Sequence, residues 1–544
     1  MEYRLGTRFR VDASGRRLPP PLMAEAARLY AARQLAEAAA CCEAVIADEP
    51  AHFEAHHLLG VLSLDLGRHE AAREALQRAV SLNPRSPRAR YNLGNLFQTL
   101  GRHEEAESAY RAALALAPDH AEALNNLGNS LRALGRHAEA IDCYRAALGH
   151  RPDHAPAFYN MGRSLADLDR LDEAEASLRA ALAAPVKPAD AHRLTDVRDA
   201  LAAVLVELGR DQEALATTRL NPPTPLAEWN ESLMLLRMGR FRDGWPKYER
   251  RWSLPGFREG EDAERAVPTE LALDRVSGRR VLLRGEQGRG DIIQFARYAP
   301  MLARHAASVT LAVFPDLVRL LATLPDVAVI EAAAVPPPHD VEAALLSLPL
   351  AFATDFDSIP AEIPYLSADP ALRAVWATRL GPRNVPLIGL CWWGSQHIPE
   401  RSIPLPLLAP LLAVRGVAFH AVQKELSEED RGWMRAHGGV ADHSDALTDF
   451  AETAALLSHL DLVITIDTAV AHLAGAMGVP TWLLLRRSAD WRWLRGRGDS
   501  PWYPTMRLFR QDRRGKWEPV VASVAAALER RRSDYAAFAI PRST

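Results

Sequence analysis

Cysteine is scarce. The 544 residues hold four, Cys41, Cys42, Cys143 and Cys391. They make no paired framework and no metal-ligand spacing, which excludes a disulfide-stapled fold and fits a reducing compartment. No run approaches the roughly 18 uninterrupted apolar residues of a membrane span. The first residues, MEYRLGTRFRVDASGRRLPPP, lack an apolar stretch of signal-peptide length. A cytoplasmic setting is therefore expected. Excess charge of one sign is absent too: 65 basic against 68 acidic side chains leave −3, which offers no global attraction to nucleic acid or anionic membrane. The length is too great for one hydrophobic core, so two to four domains are expected.

What is present is a beat. Gly60, Gly94, Gly128 and Gly162 are spaced by 34 residues, as are Pro84, Pro118 and Pro152, and Ala72, Ala106, Ala140 and Ala174. One unit reads HAEALNNLGNSLRALGRHAEAIDCYRAALGHRPD from His120. Two amphipathic helices are split by LGRH, with small residues where the helices must approach closely and Leu127, Leu131, Ile141, Tyr144 and Leu148 filling the gaps. This resembles the tetratricopeptide repeat, a helical solenoid that presents a concave surface to partners. Units starting at Phe53, Pro87, Ala121 and Ala155 are clear. An earlier one over about 19–52 lacks the glycine, and APVKPA after Ala181 interrupts the beat. The solenoid is assigned to 19–220. A degenerate hairpin, WNESLMLLRMGRFRDGWPKYERRW, with the charged linker after it, occupies 221–269. Its tryptophans mark it as a cap docked on the second half.

Asn92, Asn126 and Asn160 keep the same beat, with Asn95 and Asn129 one helical turn further on. Packing alone does not account for them. A ladder of amides offers donors and acceptors to an extended peptide, and it resembles the asparagine ladder of the O-GlcNAc transferases. The alternative is a tolerated polar residue beside the repeat glycine.

From Arg279 short apolar runs alternate with helical segments. VLLR, VTLAVF and VAVIE read as buried strands of one parallel doubly wound lobe, 270–385. PLIGLCW, VAFHAVQ, LVITID and PTWLLL read as those of a second lobe, 386–535. The first strand runs into GEQGRGD, with Gly288 and Gly290 permitting close backbone approach and Asp291 at a helix start. The spacing GxxGxG is not the dinucleotide fingerprint, and a Walker loop is excluded. Asp291 on its own reads equally as a helix cap. In LVITIDTAVAHLAGAMG, Asp467, Thr468 and Ala469 sit where a strand ends and a helix begins, a place suited to a diphosphate. His472 lies one turn along the same face, placed to add a hydrogen bond to the phosphate; its other reading is a packed helix histidine. Trp491, Trp493, Trp502 and Tyr503 either stack on a ligand or pin their loop to the core.

IDTAVAHLAGAMGVPTWLLL resembles the donor-site signature of the glycosyltransferase family that includes the heptosyltransferases, with the two-lobed GT-B fold, and GEQGRGD resembles that family's glycine loop. The resemblance covers about 270–530 and implies that Asp291 is the base on the acceptor hydroxyl. It implies that Arg401, in WWGSQHIPERSIPL, meets the donor diphosphate, and that Lys424 lies near ribose or diphosphate. Departures are Arg289, where leucine is usual, and Ser395–Gln396, where Asn-Pro is usual. The expected protein is an all-α solenoid followed by an α/β transferase, active without metal or cofactor. It would move a sugar from a nucleotide sugar to an acceptor, with inversion, and the repeats would hold a protein acceptor. A lipopolysaccharide or polysaccharide sugar transferase of heptosyltransferase type and a non-catalytic repeat adaptor with degenerate transferase lobes are the rivals.

Overall fold

The computed structural model describes residues 10–11, 17–18, 22–185, 193–255, 257, 272–394 and 399–533. The chain divides into two compact units, Met1–Val204 and Leu205–Thr544.

The first unit is a run of helix hairpins. Phe53–Asp65 pairs with His69–Leu82, Pro87–Thr99 with His103–Leu114, Ala121–Ala133 with His137–His150, and Ala155–Asp167 with Leu171–Ala183. Leu22–Ala31 and Leu35–Asp48 form the atypical first pair. The beat has a steric cause. A Cβ on Gly60, Gly94, Gly128 or Gly162 would lie 2.5–2.7 Å from Leu76, Tyr110, Tyr144 or Leu178 on the facing helix. The same period carries a signal that sequence reading overlooked. His52, Ser86, His120 and His154 each cap a first helix, the side chain accepting the N–H three residues on at 3.2 Å.

The asparagines need a correction. Asn92 Nδ2 meets His57 Nε2 at 2.8 Å, Asn126 Nδ2 donates to Asn95 Oδ1 at 3.0 Å, and Asn160 Nδ2 donates to Asn125 Oδ1 at 3.0 Å. Tyr110 and Tyr144 hydroxyls donate to Asn95 and Asn129. On its donor side the ladder joins one repeat to the preceding one. Each half-buried amide finds its partner on the first helix of the preceding repeat, 31 or 35 residues back.

The second unit holds two all-parallel sheets. We label their strands β1 (Arg280–Arg284), β2 (Ser308–Val313), β3 (Val327–Glu331), β4 (Val341–Ala344), β5 (Leu387–Cys391), β6 (Ala418–Ala421), β7 (Val440–Ala441), β8 (Leu462–Ile466), β9 (Thr481–Leu485) and β10 (Met506–Arg510). Their orders are β3-β2-β1-β4 and β10-β9-β8-β5-β6-β7. In the larger sheet, Val463, Leu483 and Leu485 face one apolar core, while Ile464, Trp482 and Leu484 face another, so both faces are covered.

The hairpin of Pro225–Arg237 and Phe241–Tyr248 is built into this unit. Phe241, Trp245 and Tyr248 share a core with Val281, Ile292 and Phe295. The Trp245 indole donates to the Thr354 carbonyl at 3.0 Å. The fully buried Arg251 makes two bonds to Glu286, at 3.0 and 2.9 Å. Burial raises the Glu286 pKa, with Arg251 opposing. Among the described residues no helix is long and apolar enough to cross a membrane.

The glycine constraint is directly testable. Gly128→Ala should destabilise the repeats by about 1–3 kcal/mol through overpacking against Tyr144. Gly149→Ala, whose Cβ meets nothing within 4 Å in the same hairpin, should be neutral or stabilising. Denaturant unfolding followed by circular dichroism separates the two.

Candidate active site

The larger sheet changes winding direction between β5 and β8, its topological switch point. In open α/β sheets the crevice beyond the carboxyl ends of such strands is where ligands bind. Cys391 ends β5, with Sγ 3.7 Å from Thr468 Oγ1. Gly394 follows, so close that a Cβ there would meet Thr468 Cγ2 at 3.3 Å. β8 ends into Asp467, whose Oδ2 is 3.9 Å from Arg401 Nε. Thr468 then opens the helix Ala469–Ala476 with no side-chain cap. Ala471 N–H bonds the Thr468 carbonyl at 3.0 Å, while the amides ahead of it have no carbonyl one turn back and point out of the helix, a favourable seat for an anion. The structure thus brings Arg401, Asp467, Thr468 and Ala469 together. Burial raises the Asp467 pKa; Arg401 opposes that shift and the neighbouring Asp490 adds to it.

Lys424 is placed differently. It follows β6, one strand further out, and its exposed Nζ donates to the Thr448 carbonyl at 2.9 Å. Trp393, 42% exposed at the end of β5, is an aromatic face at the switch point that sequence reading left unassigned. Ser395 and Gln396 lie outside the described residues.

The glycine loop comes from the smaller sheet. Gln287 has φ 61°, and Gly288 caps the short helix Arg289–Phe295. Gly288 N–H donates to Asp291 Oδ2 at 2.9 Å. The other oxygen, Oδ1, pairs with Arg492 Nη2. The N-cap residue is thus Gly288 and not Asp291, whose carboxylate closes the cap from the third helical position and also has a cation on it. Asp291 keeps 22% of its side chain exposed, within reach of solvent or substrate. Arg492 is buried, reaches Asp490 Oδ1 at 2.8 Å and Gln294 Oε1 at 2.7 Å, and lies over the Trp491 ring at 4.4 Å. Burial opposes its charge, but Asp490 and Asp291 outweigh burial and raise its pKa.

The loop of one sheet touches the helix of the other at Gly290. A Cβ there would lie 2.9 Å from His472 Cδ2 and 3.5 Å from Ala469 Cα. His472 is 5% exposed, bonded through Nδ1 to the Tyr503 hydroxyl at 3.0 Å and stacked on Trp493. Burial, aided by Arg492, lowers its pKa to about 3. The packed-histidine reading describes its setting: Nδ1 is committed to Tyr503, and burial keeps the ring neutral where the two helices meet. Trp491, Trp493, Trp502 and Tyr503 are likewise core residues, each 3% exposed or less. Arg289 stays exposed to solvent, where it pairs with Asp316 at 2.6 Å over the Phe314 ring. The triplet Asp355-Phe356-Asp357 has the spacing of a metal-binding carboxylate pair and escaped the sequence reading. Asp355 accepts its neighbour's N–H at 2.9 Å and pairs with Arg242 at 2.8 Å, as a turn residue does.

Tetratricopeptide-repeat models match residues 62–101, 91–155 and 125–188. The glycosyltransferase family 9 (heptosyltransferase) model matches residues 446–514. The chain carries tetratricopeptide repeats and a glycosyltransferase family 9 segment. That family 9 segment includes Asp467, Thr468, His472, Asp490 and Arg492; Asp291, Arg401 and Lys424 lie outside it. Protein FlbA of Caulobacter vibrioides is 29% identical over 371 residues, 59% of this chain. The match spans 59% of that relative's own length. Solved structures with local similarity include MamA, 25% identical over 29% of this chain and 92% of that one, with a TM-score of 0.28. A tetratricopeptide repeat protein from Parabacteroides merdae is 17% identical over 44% of this chain and 94% of that one, with a TM-score of 0.35.

The buried histidine predicts a pH effect. Unfolded, His472 binds a proton near pH 6.5, and folded only near pH 3. Between those values the unfolded state holds more protons, so stability falls as pH drops from 6.5 toward 3. His472→Gln should make that fall shallower. It should not abolish it, because burial also holds His443 down, at about 4. Melting temperature against pH for both proteins checks this; equal slopes would contradict it.

Proposed function

We propose that the second unit is a GT-B glycosyltransferase that moves a sugar from a nucleotide-diphosphate donor to an acceptor hydroxyl, with inversion and without a metal. The observation that supports this reading is the close approach of Gly290, the residue before Asp291, to Ala469 and His472 of the family 9 segment. In the layout we propose, 270–385 is the acceptor lobe and 386–535 the donor lobe. Repeats over 19–220 recruit the acceptor, and 221–269 is the cap and linker.

Asp291 takes the proton of the acceptor hydroxyl as its oxygen attacks the anomeric carbon. The bond from that carbon to the diphosphate breaks, and charge grows on the leaving oxygen. Arg401 and the first-turn amides at Thr468 and Ala469 offset that charge, as oriented donors in a partly dry site do. Arg492 holds the Asp291 carboxylate in place while leaving one lone pair on each oxygen. His472 acts here as a neutral spacer between loop and helix. Lys424 is proposed to reach the nucleotide only by leaving the Thr448 carbonyl. The repeats favour a protein acceptor, since solenoids of this kind are protein-binding scaffolds. The asparagine amides, already bonded between repeats, would contribute through their remaining oxygen lone pairs.

A thermal-shift panel of nucleotide sugars tests the donor step. A ligand at 100 times its dissociation constant stabilises by about 2.7 kcal/mol. Asp291→Asn should keep that shift and lose about 10²–10⁴-fold in transfer rate. Turnover undiminished in Asp291→Asn would remove its role as base, and a flat panel would remove the transferase reading. Sugar found on lipid or polysaccharide, with none on protein, would redirect the acceptor.

A further inference from the structure

Away from the switch point, the second unit gathers arginines where its helical turns meet the loop after β9. A cleft of about 660 Å³ opens there, lined by Arg210, Arg237, Arg240, Arg495 and Arg497 against two acids, Asp211 and Glu213. A cavity of about 240 Å³ shares Arg237 and Arg495 and adds Arg487 and Arg510, with Glu207 and Asp512. Several of these cations are answered locally. Arg210 pairs with Glu213, Arg240 with Asp243 and Arg497 with Asp499. Arg495 meets Asp211 at 3.1 Å and the Val206 carbonyl.

Two others have weaker answers. Arg510 donates to the backbone carbonyls of Trp493, at 2.5 Å, and Arg497, at 3.3 Å. Arg237 has Nε and Nη1 buried with no hydrogen-bond partner. The acids that act on it, Asp211, Asp490 and Glu207, do so at a distance, and the first two are paired with Arg495 and Arg492. Burial lowers the Arg237 pKa, and Arg495 adds to the shift. Burial together with Arg495 and Arg237 brings Arg510 down to about 10. Three mutually repelling guanidinium groups around open space are complementary to a multivalent anion, whose oxygens match the planar fork of arginine.

We propose that this cleft binds a small multivalent oxyanion, phosphate or diphosphate, held by Arg237 and Arg495. The proposal does not rest on the transferase reading. It has a consequence for it, because the loop that carries Arg495 into the cleft also carries Arg492 onto Asp291. An anion in the cleft would tie that loop to the helical turns at Gly209–Glu213 and Arg237–Arg240.

The test is a thermal melt of the full-length protein titrated with sodium phosphate and with sodium pyrophosphate, against sodium chloride at matched ionic strength. The expected result is a saturable rise in melting temperature with either anion beyond the chloride control. It should persist in Arg401→Ala, which weakens the switch-point site, and its midpoint should move about tenfold or more upward in Arg237→Met. Without anion, Arg237→Met should melt at or above the wild-type temperature, since methionine fills the space without a buried charge. Arg495→Gln gives an independent variant with the same expected loss. No saturable rise in the wild type would overturn the proposal. So would an unchanged midpoint in both cleft variants, or a rise lost in Arg401→Ala and kept in Arg237→Met.

Discussion

A buried arginine organises the second unit. Arg492 sits among Trp491, Phe295 and Gln294, where an unanswered cation would be severely penalised. Asp490 answers it from its own loop and Asp291 from the other sheet. The pairing therefore fixes more than two side chains. It sets the glycine loop after β1 against the loop after β9, while Gly290 lets the two helices come close enough for the pair to form. The proposed chemistry is assigned to Asp291, whose side chain stays 22% exposed while Arg492 is buried.

The repeat unit solves its packing problem by repetition. Each inner glycine accepts a tyrosine or leucine from the facing helix, and each capping histidine or serine closes the next helix start. Amide groups are bonded from one repeat to the preceding one, and the Tyr144 phenol is bonded to Asn129 within its own hairpin. The repeated asparagines at 92, 126 and 160 all reach back to the preceding repeat, though to different partners: His57, Asn95 and Asn125.

The legible parts of the sequence were those under strict steric or hydrophobic control. Gly128 had to be small, and the β1, β2, β5, β8 and β9 strands had to be continuously apolar because both of their faces are covered. The strands that went unrecognised, β4, β7 and β10, are all sheet edges. An edge strand has one neighbour and carries a shorter or more polar run, as VEAA, VA and MRLFR do. At the candidate site, Asp467 and Thr468 stand out at a strand end and Asp291 at a helix start, while Arg401, in a loop, is singled out only by the family resemblance. Arg492 did not, because an arginine between two tryptophans reads as a surface residue until the fold buries it. His472 and the asparagines were visible as positions, while their partners, Tyr503 and the neighbouring repeats, lie 31 to 35 residues away.

The central claim is that Arg492 and Asp291 form one energetic unit joining the two sheets. A double-mutant cycle measures it most directly: Arg492→Gln, Asp291→Asn and the pair, each unfolded in denaturant with tryptophan fluorescence as the readout. Breaking a buried pair from one side costs about 3–5 kcal/mol because the other charge stays behind. The single variants should therefore cost much more in sum than the double variant, with a coupling energy of about 1–3 kcal/mol. Additive effects would contradict the account.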